Sequence, residues 1–202
     1  MVKIMNGLNK YSREDLEKQK EKYLDLLRST ERDGIEDLIE WLNTTDFFEA
    51  PASTKGHGSF IGGLLLHSIN VYTLLKNFNV KAGAPEDSLI IVGLLHDLCK
   101  VGYYKKSLKN VKDPVEKRWV EQEVFIIDDT LPLGHGEKSL FLAERYIRLT
   151  DDEAAAIRWH MSGYDDAARS YSGGRAQSAA YEKYPLAVAT AIADMYATYF
   201  VD

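Results

Sequence analysis

Apolar residues recur every three or four positions along most of this chain, a rhythm that predicts a succession of helices. Ser12 can cap a first helix opened by Arg13-Glu14-Asp15, with Leu16, Tyr23, Leu24, Leu26 and Leu27 on its apolar face. Ile35, Leu38, Ile39, Trp41 and Leu42 give a second helix. Residues 44–58 break the rhythm: Pro51 and two glycines among small side chains read as an irregular loop. Helical spacing returns over 62–78 through Leu64, Leu65, Ile69, Val71, Leu74 and Leu75, and this helix carries His67. After Pro85 a further helix starts near Asp87 and ends by Gly102. It becomes wholly apolar at Leu89-Ile90-Ile91-Val92-Gly93-Leu94-Leu95 and then meets His96-Asp97.

The period changes between 103 and 131. The polar run 105–112, then Asp113-Pro114, then the β-prone run Trp119-Val120-Glu121-Gln122-Glu123-Val124-Phe125-Ile126-Ile127 predict a β-hairpin. Helical pattern resumes over 136–149. Thr150-Asp151-Asp152-Glu153 is a capping box for a helix ending at His160 and Gly163. Residues 170–177, with Gly173-Gly174, predict a mobile loop, and the last helix covers 185–200 with Asp194 inside it. The expected architecture is a mainly α single domain over 1–202. Its N-terminal helices occupy 1–45, and the core over 46–202 takes the hairpin of 103–131 as an insertion.

Composition narrows the class. With 45% hydrophobic and 28% charged residues the chain is expected to be an ordinary soluble domain. A net charge of -6 argues against an extended nucleic-acid or anionic-membrane surface but permits a local basic pocket. One cysteine, Cys99, excludes an intramolecular disulfide and fits a reducing compartment. No secretory h-region is visible, and no apolar stretch reaches the roughly 18 residues of a spanning helix. A cytoplasmic location with no membrane partner is the expectation.

Chemistry enters at His96-Asp97. A carboxylate and an imidazole buried together cost several kcal/mol unless compensated, and a divalent metal compensates them well. Adjacent helical positions point about 100° apart, so the two can grip one ion only in the wedge between them. His67 from a neighbouring helix and Asp194 from the last can complete that site. Imidazole with carboxylate suits iron, manganese, zinc, nickel or cobalt better than calcium. His135 and His160, near helix ends, raise a second possibility: if Asp97 bridges, they can hold another ion beside the first. Two ions about 3.5–4 Å apart can activate water and clamp a phosphoryl group. The competing reading makes each histidine a satisfied core or surface residue and Asp194 a hydrogen-bond partner for a neighbouring helix.

These residues resemble the HD-domain superfamily of metal-dependent phosphohydrolases. The likeness lies in Gly62-Gly63-Leu64-Leu65-Leu66-His67-Ser68, in Leu94-Leu95-His96-Asp97-Leu98-Cys99-Lys100 and in Ala193-Asp194. The loop from Phe47 to His57 resembles HD-type exoribonucleases. Gly134-His135-Gly136-Glu137-Lys138-Ser139 and Ile157-Arg158-Trp159-His160-Met161 resemble uncharacterised HD proteins of bacteria and their phages.

The resemblance assigns His67, His96, Asp97 and Asp194 to a first ion, and Asp97, His135 and His160 to a second. It implies that Lys100 contacts phosphate or the nucleophile, against a plain surface role. His57 would face phosphate or leaving group, against bonding to backbone. Tyr164 can stack on substrate or simply be a half-buried aromatic. Arg169 and Arg175 can be phosphate hands or solvated surface, and Cys99 is expected to pack.

The implied activity is hydrolysis of a phosphoester in a nucleotide or short oligonucleotide, with Asp97 and Lys100 catalytic and one or two divalent transition metals as cofactor. The alternatives are a di-iron oxygenase with the same four-histidine, two-aspartate set, or a non-catalytic nucleotide-sensing module with structural metals. Met161-Ser162-Gly163-Tyr164 departs from the glycine-tyrosine-proline motif of the cyclic-dinucleotide phosphodiesterases. These 202 residues are not expected to include the separate nucleic-acid-binding domain of the exoribonucleases, so the resemblance implies neither of those substrates.

Overall fold

In the computed structural model, which describes residues 8–112 and 117–202 (side chains of 79–82 excepted), the chain is mainly α with one small antiparallel sheet. Ser12 opens helix α1 (Arg13–Arg28) as expected, its hydroxyl accepting from the Asp15 amide at 3.1 Å. Glu14 and Asp15 at one end and Arg28 at the other match the helix dipole. Helix α2 is Ile35–Thr44, and α1 and α2 bury Tyr23, Leu24, Leu27, Leu38 and Leu42 against the core.

Helix α3 (Gly63–Ala82) packs on α4 (Glu86–Leu95), in which every residue from Ser88 to Leu95 is buried. A helix apolar on all faces belongs at the centre of a bundle, and α4 lies there. Gly93 permits its close crossing with α3: a Cβ at this position would stand 2.5 Å from Tyr72 Cα. The Tyr23 hydroxyl donates to the Leu94 carbonyl at 2.9 Å, near the end of α4. The helix stops at Leu95, earlier than the pattern predicts, because Asp97 leaves helical geometry (φ -105°, ψ 22°) and a 3-10 turn follows over Leu98–Lys100.

Strands β1 (Tyr104–Lys112) and β2 (Trp119–Ile127) pair antiparallel, Tyr104 opposite Ile127 and Lys112 opposite Trp119, within the expected insertion. The turn expected at Asp113-Pro114 lies outside the described residues. At the root, Tyr103 O accepts from Asp128 N at 2.9 Å and Gly102 O from Thr130 N at 3.2 Å. Gly102 N in turn donates to Asp46 Oδ1 at 2.9 Å.

Helix α5 is His135–Glu144, shorter than the predicted 136–149. The Glu144 carboxylate accepts from the Leu149 amide at 3.0 Å, holding the residues between as a turn. Helix α6 (Asp151–Trp159) has the predicted capping box between Thr150 and Glu153. The fully buried Glu153 also accepts from Ser88 and from Arg32, which bridges to Asp87 and so ties the α1–α2 connection to the starts of α4 and α6.

The loop expected over 170–177 is helical. Helix α7 (Tyr171–Lys183) starts there, Ser170 Oγ accepting from the Gly173 amide at 3.0 Å. Gly173 and Gly174 serve close approach rather than mobility, since a Cβ on either would meet the carbonyl of Ala167 or Ala168. Helix α8 (Pro185–Tyr196) follows, with proline at its first position, and continues as a π turn over Ala197–Val201. It packs on α3 and α6, which brings Asp194 towards His67 and His160. No helix among the described residues is long and apolar enough to cross a membrane.

Candidate metal centre

His96 caps the end of α4 with its ring Nδ1 at 3.0 Å from the Gly93 carbonyl, and His160 caps α6 with Nδ1 at 2.7 Å from the Ile157 carbonyl. A carbonyl can only accept, so each Nδ1 carries hydrogen, and in the neutral ring Nε2 then presents a lone pair. Burial pushes His96 down to about 3, against the pull of Asp97, and it stays a neutral donor at ordinary pH. His160 Nε2 is buried with no hydrogen-bond partner among the described residues. Such orphaned nitrogens are costly, and a cation satisfies them.

His67 on α3 is held from behind. Its Nδ1 lies 2.6 Å from Asp202 Oδ2, and Asn70 donates to Asp202 Oδ1 at 2.8 Å. Its Nε2 faces His96 Nε2 at 3.3 Å, Asp194 Oδ1 at 3.1 Å and Asp97 Oδ2 at 3.6 Å. Burial opposes charge on this ring, yet Asp194 and Asp202 overcome it and raise His67 to about 9. Several donors thus converge on one proton, and donors of this type and number suit a divalent cation better than a proton.

Asp97 faces two ways. Its Oδ1 lies 2.7 Å from His135 Nε2 and 3.6 Å from His160 Nε2; its Oδ2 lies 2.6 Å from Lys100 Nζ and 3.5 Å from His96 Nε2. Burial works against its charge, but Lys100 and His96 hold it well below the usual carboxylate range. The same pairing keeps buried Lys100 charged. Among the described residues three overlapping ligand groups result, each with its donor atoms within 4.8 Å of one another: His67-His96-Asp194, His96-Asp97-His160 and Asp97-Cys99-His135. The residues fit a divalent metal. His160 stands between the two expected sets, its ring centroid 4.9 Å from that of His96 and 5.1 Å from that of His135.

The HD-domain family model matches residues 64–199, which begin just before His67 and run past Asp194. The chain belongs to the HD-domain family. Neither a curated protein nor a solved structure matches it. HD domains form a superfamily of metal-dependent phosphohydrolases, and the histidine–aspartate cluster of this one can hold metal.

The centre of this HD domain opens into a cavity of about 280 Å³, lined in part by Ser53, His57, Lys100 and Tyr164. His57 reaches it from the irregular loop, whose backbone is held by Ser53 Oγ donating to the His57 carbonyl at 2.6 Å. Burial, with His67 and Lys100 nearby, lowers the pKa of the His57 ring. Tyr164 lines the mouth and is exposed.

Arg169 and Arg175 are not brought to the cavity. The Arg169 guanidinium meets Asp166 at 3.2 Å and the Gly163 carbonyl at 3.3 Å, while Arg175 lies over the Tyr171 ring. Cys99 packs as expected: its thiol is buried, and burial with Asp97 pushes its pKa up. Asp202 and Asn70 were not legible as site residues, nor were Met195 and Tyr199, which line the cavity from α8 and its π turn.

Proposed function

We propose that this HD domain hydrolyses a phosphoester of a nucleotide or short oligonucleotide. The observation that carries the reading is the division of the two Asp97 oxygens between the His135/His160 side and the His67/His96 side, at the floor of a cavity that Lys100 also lines. In this assignment His67, His96, Asp97 and Asp194 hold one ion, and Asp97, His135 and His160 a second. Bound divalent ions (iron, manganese, zinc, nickel or cobalt by donor type) make water nucleophilic at neutral pH and offset phosphoryl charge.

The protein's own groups do the rest. Asp97 fixes Lys100 at 2.6 Å, so its ammonium stands ready for charge that develops on the phosphoryl oxygens. His57, kept neutral by burial and neighbouring cations, can donate an N–H towards the leaving oxygen. In the net reaction a water oxygen bonds to phosphorus, the P–O ester bond breaks and the leaving oxygen takes a proton. The products are an alcohol and a phosphate.

The test is phosphate or nucleoside release by metal-loaded protein across a nucleotide panel. Turnover lost in Asp97→Asn supports the reading. No product from any nucleotide, with control hydrolases active, overturns it, and oxygen uptake by anaerobically prepared iron protein would then favour the oxygenase chemistry of the same donor set.

A further inference from the structure

The cavity has two unlike ends. Its buried part holds imidazoles, carboxylates and Lys100; its exposed part is Tyr164, Met195 and Tyr199, with the hydroxyls of Ser53 and Thr198 also on the lining. Tyr164 is 59% exposed, Tyr199 64% and Met195 44%, too open for these side chains to serve as core. Tyr164 and Tyr199 come to this cavity from separate segments, the 3-10 turn Ser162–Tyr164 and the π turn after α8. Large apolar side chains left in solvent beside a polar-floored cavity form a surface for ligand rather than for packing.

Charge divides the same way. Lys100 is the sole ammonium or guanidinium lining the cavity among the described residues, and Asp97 already matches its charge at 2.6 Å. Two other cations are held by carboxylates: Arg158 by Glu137 and Asp165, and Lys138 by Asp129. A second or third phosphate would therefore meet hydroxyls at most, with no further ammonium or guanidinium on the lining to match its charge. A flat organic ring placed there gains stacking and sulfur contacts instead.

We propose that the cavity selects esters of a single phosphate with a planar, weakly polar group, the phosphoryl lying by Asp97 and Lys100 and the ring against Tyr164 and Tyr199. This rests on the hydrolytic reading and narrows it. A nucleoside monophosphate belongs to this class, whereas nucleoside triphosphates, extended oligonucleotides and small aliphatic phosphates do not.

The experiment compares phenyl phosphate, AMP, ATP and ethyl phosphate as substrates of the metal-loaded full chain. Phenyl phosphate and AMP should exceed both ethyl phosphate and ATP in kcat/KM by about tenfold. Tyr164→Ala and Tyr199→Ala should lower the phenyl-to-ethyl ratio, which stays above one because phenoxide is the better leaving group, and phenylalanine at either position should restore it. Equal use of ethyl and phenyl esters, better use of ATP than of AMP, or an unchanged ratio in both alanine variants overturns the proposal.

Calorimetry with phenylphosphonate and methylphosphonate, which cannot be hydrolysed, separates this from failure of the hydrolytic reading. If no ester turns over, tighter binding of the phenyl compound still supports the selective wall, and equal binding overturns it.

Discussion

His67 Nδ1 sits 2.6 Å from the Asp202 carboxylate, whose other oxygen takes a hydrogen bond from Asn70. A carboxylate behind a ligating imidazole fixes its tautomer and makes the opposite nitrogen a better donor. Asp202→Ala is expected to weaken metal binding by about 10- to 100-fold. Asp202→Asn, whose amide oxygen can still accept, should recover part of that loss. Competition with a coloured chelator measures both, and equal affinity in all three proteins would reduce the contact to packing.

Asp97 and Lys100 neutralise each other in a buried place, so removing one strands the other. Asp97→Ala should cost the metal-free protein about 3–5 kcal/mol, because the Lys100 ammonium stays behind without a partner. The double variant Asp97→Ala/Lys100→Met should regain much of this. Urea unfolding with chelator present reads the difference; single and double variants of equal stability would show that the buried charge is not the cause.

Metal binding to the folded centre should also appear as stability. Elemental analysis of protein purified without chelators is expected to find one or two transition-metal ions per chain. Stripping them should lower Tm, and restoring an ion at a thousand times its Kd should return about 4 kcal/mol per site. A Tm indifferent to chelation would count against any resident ion.

Acid should loosen the fold at Glu153, far from that chemistry. Burial disfavours its charge, but Arg32, Ser88 and the Thr150 amide more than compensate and hold its pKa below the ordinary value. The folded-state value is the lower one, so this stabilisation is complete above about pH 4.5, the region where an unfolded glutamate titrates, and fades as pH falls through the folded value. Asp87, lowered by the same Arg32, adds to the effect. Melts of chelated protein between pH 3 and 6 should show it. Glu153→Gln should flatten the acid limb and lose about 2 kcal/mol at neutral pH.

Gly93 links fold to site. In Gly93→Ala the added carbon would meet the Tyr72 backbone at 2.5 Å, so α4 must move off α3. The cost should be about 1–3 kcal/mol. Because His96 rides on α4 and His67 on α3, metal affinity should fall with stability, whereas a variant that loses only stability would uncouple the two.

What could be read from the chain was local or chemical. Ser12 and the Thr150–Glu153 box announced helix starts because a cap needs only three or four neighbouring residues. His67, His96, Asp97, His135, His160 and Asp194 stood out as polar residues set in or beside apolar runs, and the fold brings them together. Gly173-Gly174 misled because glycine permits close contact as readily as it permits motion, and only the Ala167 and Ala168 carbonyls decide which.

Asp202 was hidden by backbone geometry. On an α-helix the residue about seven positions beyond Asp194 shares its face. The wider turn closed by Asp202 N on Ala197 O brings Asp202, eight positions on, round to His67.

The hairpin root has a consequence for how such a domain can change. Hydrogen bonds from Asp128 and Thr130 to Tyr103 and Gly102 close its base, and Asp46 anchors Gly102 to the body. Beyond that clasp the arm is largely in solvent, with Leu108 61% and Trp119 69% exposed. Its outer rungs can therefore drift, lengthen or be exchanged while Lys100 before it and His135 after it keep their places. Changes along the arm need not reach the histidine–aspartate cluster.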